Sequence, residues 1–129
     1  MKILLNSVFV DDQEKALQFY TQKLGFLKKR DFPVGEFRWL TVVSPDGPGE
    51  VELVLEPNNN PAASTYQKSL FEQGIPCTAF AVDDIHEEYG RLCGVGVEFT
   101  MEPTNFGNVK AAVFNDTCGN LIQIYQVTE

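Results

Sequence analysis

Few side chains in this 129-residue chain could do chemistry, and their neighbours narrow what each could do. The single histidine, His86, is followed by Glu87 and Glu88 early in a helical stretch, where it reads as a solvated helix residue rather than a base. Cys77, Cys93 and Cys118 are an odd number of cysteines with no CxxC spacing, which fits reduced thiols better than a disulfide framework. Cys77 has no His or Lys beside it to lower its pKa, so it reads as a small buried residue, with a reactive thiol as the alternative. Glu52 alternates with the apolar Val51 and Leu53, which leaves two readings: a carboxylate facing a binding cleft as base or ligand, or a solvated strand residue. Glu56 shares its side and reads as a strand-end surface charge. Arg38 and Trp39 are adjacent in a strand-like run and must point to opposite faces. Arg38 could anchor an anion and Trp39 could form a flat aromatic wall or pack in the core; which of the two faces a ligand stays open. Phe106 lies in an amide-rich loop, Asn105-Phe106-Gly107-Asn108, that is either a cleft loop or a surface turn.

Composition limits the settings in which these residues act. Ten Lys and Arg against 18 Asp and Glu give a net charge of −8, which disfavours phosphate backbones and anionic lipid surfaces. No apolar run approaches the ~20 residues of a membrane span. The N-terminal residues do not read as a signal peptide. The expected location is therefore the cytoplasm, with no nucleic-acid or membrane partner. At 43% hydrophobic and 22% charged, the chain has the balance of a globular domain of ordinary size.

The elements that position these residues occur twice. Ser7-Val8-Phe9-Val10-Asp11-Asp12 is matched by Ala79-Phe80-Ala81-Val82-Asp83-Asp84, 72 residues on, and Leu24-Gly25-Phe26 by Val95-Gly96-Val97, 71 residues on. In the first half, a strand over 3–10 leads to a helix capped by Asp11 or Asp12, with Glu14 as a capping-box partner. Ala16, Leu17, Phe19, Tyr20 and Leu24 form its apolar face and Gly25 ends it. Strands follow near 26–30, over 37–43 and over 51–55, with Pro45 to Gly49 as turn. A linker, Pro57 to Pro61, leads to a short helix over 64–73 with Ser64 and Gln67 as a second capping box. The second half repeats the order: a strand over 78–82, a helix over 85–93 with Ile85, Tyr89 and Leu92 on one face, and strands over 97–100, 109–114 and 121–127. Asn115 to Asn120 is the last hairpin turn, with Gly119 free to take positive φ. The expected class is α+β, two βαβββ modules forming a curved sheet cleft. Module one covers about 1–57, the linker helix about 58–74 and module two about 75–129, all in one domain.

The strand ending in Val-Asp-Asp, followed by Ala16-Leu17-Gln18-Phe19-Tyr20 and Leu24-Gly25-Phe26, resembles the opening of the glyoxalase/bleomycin-resistance/extradiol-dioxygenase (vicinal oxygen chelate) superfamily. The late Phe114-Asn115-Asp116-Thr117-Cys118-Gly119-Asn120-Leu121-Ile122-Gln123-Ile124 is similar to that family's turn before the final strand, with Thr117 in place of the usual Pro. The resemblance implies two pairs of metal ligands, one residue of each pair on a module's first strand and one on its last. The flanking motifs place these at Leu5, Glu52, Cys77 and Gln123. Only Glu52 keeps the usual ligand type: Leu5 cannot ligate, Gln123 offers a neutral amide, and Cys77 would ligate only as a thiolate. The resemblance therefore implies a small-molecule-binding protein of the sequestration type, without cofactor or metal and acting as a homodimer, with Glu52, Cys77, Gln123, Arg38, Trp39 and Phe106 as cleft candidates. The alternatives are a metal-dependent lyase, isomerase or dioxygenase using Glu52, Gln123 and Cys77 with a divalent ion, and a protein-interaction module whose cleft is filled by its own side chains.

Overall fold

A computed structural model of the chain describes residues 1–128. The elements run β1 (Leu5–Val10), α1 (Gln13–Gln18), β2 (Leu27–Val34), β3 (Phe37–Val43), β4 (Glu52–Pro57), α2 (Pro61–Glu72), β5 (Thr78–Ala81), α3 (Ile85–Gly94), β6 (Phe99–Asn105), β7 (Val109–Asn115) and β8 (Leu121–Val127). They build two four-stranded sheets of identical topology, β1-β4-β3-β2 and β5-β8-β7-β6. In each, the first strand pairs parallel with the last and the other pairings are antiparallel. The duplicated βαβββ plan and the α+β class are thus as expected. The chain divides into two compact units between Tyr66 and Gln67, inside α2. The C-terminal residue of the second expected module, Glu129, lies outside the described residues.

In the first unit the apolar stripe does the folding. Ala16, Leu17, Phe19 and Tyr20 are buried, as are Val8, Val10, Leu40, Val42 and Leu55, which alternation puts on one side of the sheet. Asp12 caps α1, its carboxylate accepting from the Lys15 N–H at 3.0 Å. The capping box expected from Glu14 does not form, because that side chain accepts from Gln18 at 2.6 Å and Arg38 at 3.0 Å instead. After Gln18 the helix widens into a π-helical turn over Phe19–Lys23. Gly25 then takes φ +89° and the Phe26 N–H donates to the Tyr20 carbonyl, which closes the helix end.

In the second unit Ile85 and Leu92 of α3 are buried with Ile122, Ile124, Ala112 and Phe114. Asp84 caps α3 through the His86 and Glu87 N–H groups, each at 3.1 Å. Tyr89, Phe99 and Phe114 stack edge to face, with centroids 4.6 and 5.6 Å apart.

Two strands and one helix depart from the expected boundaries by more than two residues, each for a physical reason. β2 runs four residues past Arg30 and β6 runs to Asn105, both passing through a proline (Pro33, Pro103). Both are edge strands, where a missing N–H breaks no ladder. Helix α2 begins at Pro61, three residues early, with the Asn60 side chain accepting from the Ala62 N–H at 2.9 Å. The Ser64–Gln67 capping box therefore does not exist. Gln67 is instead buried, donating to the Cys118 carbonyl at 3.2 Å and to Asn120 Oδ1 at 3.1 Å.

That contact belongs to the β7–β8 turn. Asp116 is fully buried; its Oδ1 accepts from the Cys118 and Asn120 N–H groups at 2.7 and 3.0 Å, and its Oδ2 accepts from Asn120 Nδ2 at 2.8 Å. Gly119 has φ +102°, as the turn requires, and Thr117 has φ +64°. A proline ring fixes φ near −65°, so the backbone here is one that the family's usual Pro could not adopt.

Candidate functional site

Of the site candidates of the first unit, Leu5, Glu52 and Trp39 lie on the side of the sheet opposite α1. Leu5 is directly across the parallel β1–β4 pair from Glu52, so both point to that side, with Val54 and Glu56 following on β4. From β3, alternation adds Phe37, Trp39, Thr41 and Val43; from β2 it adds Phe32 and Val34, which pair with Trp39 and Phe37, and Leu27, which pairs with Val43. Leu5, Leu27, Phe32 and Val34 are exposed and Trp39 is half-buried.

Arg38 and Trp39 therefore divide as their adjacency requires, and Trp39 is the one on Glu52's side. The Arg38 guanidinium turns toward α1. It donates Nε and Nη2 to the two oxygens of Asp31, at 3.0 and 2.7 Å, and Nη1 to Glu14 at 3.0 Å. The Asp31 hydrogen bonds, followed by Glu14's, push the Arg38 pKa up, and Arg38 holds the Asp31 carboxyl below its usual range. The anion anchor expected at Arg38 is spent on this internal fork.

A different arginine reaches the Glu52 side. β2 carries a bulge between Lys28 and Arg30, so Lys28 pairs with Val42 on the helix side while Arg30 pairs with Thr41 on the other. Arg30 Nε donates to Glu52 Oε1 at 2.9 Å, and Lys29 Nζ lies 3.8 Å from Glu52 Oε2. The Thr41 hydroxyl donates to Glu52 Oε1 at 2.8 Å and accepts from the Arg30 N–H at 3.2 Å. Partial burial pushes the Glu52 pKa up, but Thr41, Arg30 and Lys29 outweigh it, so the carboxyl sits below its usual range. Strand periodicity alone could not find Arg30, because the extra residue at the bulge reverses the alternation. The one sequence signal is the Lys28-Lys29-Arg30 run in an acidic chain.

The second unit holds Cys77 and Gln123. Cys77 lies just before β5, its N–H donating to the Leu121 carbonyl at 3.0 Å. The residue that the register sets across from Gln123 is Ala79, not Cys77. The two modules thus differ by two residues in the pairing that should bring each ligand pair side by side. Cys77 is exposed rather than buried as expected, yet desolvation about the thiol, then the Asp116 carboxylate, push its pKa up to about 11. Gln123 is half-buried between Val113 of β7 and Ala79. Phe106 stands exposed in the β6–β7 turn, where Gly107 takes φ +94° and its N–H donates to Asn105 Oδ1 at 2.8 Å. His86 is exposed on α3.

Each pair can be tested as a set of donors. The first offers an apolar side chain and a carboxylate already bound to two cations. The second offers a thiol that is protonated at neutral pH and, a pleat away, a neutral amide. Neither set fits a divalent ion, which favours deprotonated, converging ligands. No group of three His, Cys, Asp or Glu side chains converges among the described residues.

Comparison with known proteins places this geometry. The sequence profile of the Glyoxalase/Bleomycin resistance protein/Dioxygenase superfamily matches residues 2–124. The chain belongs to this superfamily. It is 60% identical to YurT of Bacillus subtilis (strain 168), over 98% of this chain and 99% of that one. The crystal structure of UcmS2 superposes with a TM-score of 0.84 at 33% identity, covering 97% of both chains. TnmS3, an antibiotic-binding protein from Streptomyces sp. CB03234, superposes with a TM-score of 0.76 at 28% identity, covering 99% of this chain and 97% of that one. The superfamily fold, βαβββ twice, is thus the one described above.

Proposed function

We propose that this member of the superfamily binds a small organic molecule without a metal ion and sequesters it rather than converting it. The observation that carries this reading is the Glu52 carboxylate. It is the one retained ligand-type residue, and it is taken up by Arg30, Lys29 and Thr41 on a sheet side otherwise lined with Trp39, Phe32, Leu27 and Val34. A lyase, isomerase or dioxygenase of this family's kind needs a cation to polarise substrate oxygens, and such an ion would have to displace the arginine and the lysine first. The antibiotic-binding character of TnmS3 supports the binding reading by likeness. Three cysteines with no disulfide among the described residues support a cytoplasmic setting. The free edge of strand β2 supports a homodimer of this chain joined along that edge, which sedimentation would detect.

The test is a thermal-shift panel of neutral and charged polycyclic aromatic compounds, run beside Ni, Zn, Fe and Mn. At least one organic class should raise the melting temperature saturably and the metals should not. A stoichiometric, tightly held transition ion, or a panel with no response, overturns the reading.

A further inference from the structure

We propose that Arg30 is the anchor for the anionic group of a planar aromatic ligand lying along the Trp39 side of the first sheet; this rests on the binding reading above. The local charge points that way. Lys29 and Arg30 face the one carboxylate of Glu52, a net positive cluster on a chain of net charge −8. Glu56, on the same side of β4, lies four residues further along, roughly 13 Å by strand rise.

The anchor is built as well as charged. Only Nε of the Arg30 guanidinium is used, on Glu52, which leaves both terminal nitrogens without a protein partner among the described residues, on a side chain about half exposed (51%). A guanidinium with two free donors side by side matches a carboxylate bidentately. Its position is fixed from two directions, since Thr41 holds both the Arg30 N–H and the Glu52 oxygen that receives the guanidinium. Thr41 is fully buried, so this reference point is rigid and the ligand need not order the arginine on arrival.

The aromatic surface lies beside it. Trp39 is two residues from Thr41, Phe32 is two residues from Arg30, and the two aromatic residues pair directly across the strands. Two residues of strand span about 7 Å, the length of a fused two-ring system. Direct contact with Arg30 outweighs the distant acidic surface, which salt screens beyond about 8 Å. The class assigned is an aromatic carboxylate or phenolate. A cationic ligand would meet Lys29 and Arg30 first.

Trp39 is the only tryptophan, so its fluorescence reports on this side of the sheet directly. The probes are 2-naphthoate and 2-naphthamide, alike in shape and different in charge. Wild type should bind 2-naphthoate saturably and about tenfold more tightly than 2-naphthamide, with the gap narrowing at high salt. Arg30→Gln should bring the two to within about twofold, and Arg30→Lys should keep part of the preference. The wild-type comparison needs no variant, and a melting curve establishes that Arg30→Gln is folded. Equal affinity for the two probes, or an acid preference that persists in Arg30→Gln, overturns the assignment and leaves the binding reading standing. Failure of both probes beside a responsive thermal-shift panel also overturns it; failure of both beside a silent panel removes the two together.

Discussion

Gln13 closes the backbone of Arg38. Its Nε2 donates to the Arg38 carbonyl at 2.7 Å and its Oε1 accepts from the Arg38 N–H at 3.1 Å, while Nε2 also donates to the Leu55 carbonyl at 2.9 Å. The β3–β4 pairing runs only through Thr41–Val54 and Val42–Leu53. Continued in register, Arg38 would meet Pro57, which has no N–H to give. The amide from the first turn of α1 fills the gap and fastens the helix to two strands.

Gln13→Ala should therefore cost about 2–4 kcal/mol, well above an ordinary first-turn helix substitution, because it strips partners from the buried Leu55 carbonyl and from the part-buried Arg38 N–H and carbonyl. Urea titration would measure it. A loss under about 0.5 kcal/mol would mean that water replaces the amide without penalty.

Glu52 makes stability depend on acid. Its folded pKa is lowered, so the stabilisation it supplies is complete above the unfolded glutamate value of about 4.3 and is lost as pH falls through the folded value. Glu52→Gln should cost about 1–2 kcal/mol at pH 7 and progressively less below pH 4. Melting temperatures of both proteins from pH 7 to pH 2.5 should converge in acid. A constant gap would assign the effect to shape rather than charge.

Cys77 should be a slow nucleophile despite its exposure. With its pKa pushed up to about 11, the thiolate fraction at pH 7.4 is roughly two orders of magnitude below that of an ordinary cysteine thiol, and alkylation by iodoacetamide should slow correspondingly. The rate should keep rising with pH past 9. A plateau below pH 9, followed by mass spectrometry of the peptide that contains Cys77, would refute this.

The β7–β8 turn should respond in opposite directions at two neighbouring positions. Thr117 holds φ +64° with a β-branched side chain, so Thr117→Asn should stabilise by about 0.5–1 kcal/mol. Gly119→Ala should destabilise by about 2 kcal/mol or more, since φ is +102° and a Cβ there would stand 2.8 Å from Gln67 Nε2. In a Gln67→Ala background the clash is gone and the penalty of Gly119→Ala should shrink toward the backbone strain alone. An unchanged penalty in that background would mean that Gln67 does not press on the turn.

The order of elements was legible because it rests on local signals that occur twice: Asp12 and Asp84 as caps, apolar residues at helical spacing, turn residues at Gly25 and Gly119. The family, too, could be read from short motifs that surround those caps and turns. The Glu14 and Ser64 capping boxes fail because Glu14 is taken by Gln18 and by the sequence-distant Arg38, and because the second helix already starts at Pro61. Strands β2 and β6 outrun their expected ends, through Pro33 and Pro103, because only the sheet order reveals which strands are edges.

The chain on its own determined the duplicated βαβββ plan, since that follows from residue identity and spacing. Tertiary structure alone decided which guanidinium stands beside Glu52. Arg38 and Arg30 are equally available in sequence, but one bulged residue in β2 reverses the side on which Arg30 emerges, while Asp31 and Glu14 draw Arg38 to the helix. Side-chain direction along a strand has a period of two, so a single extra residue, invisible until the strands pair, changes what the site is made of.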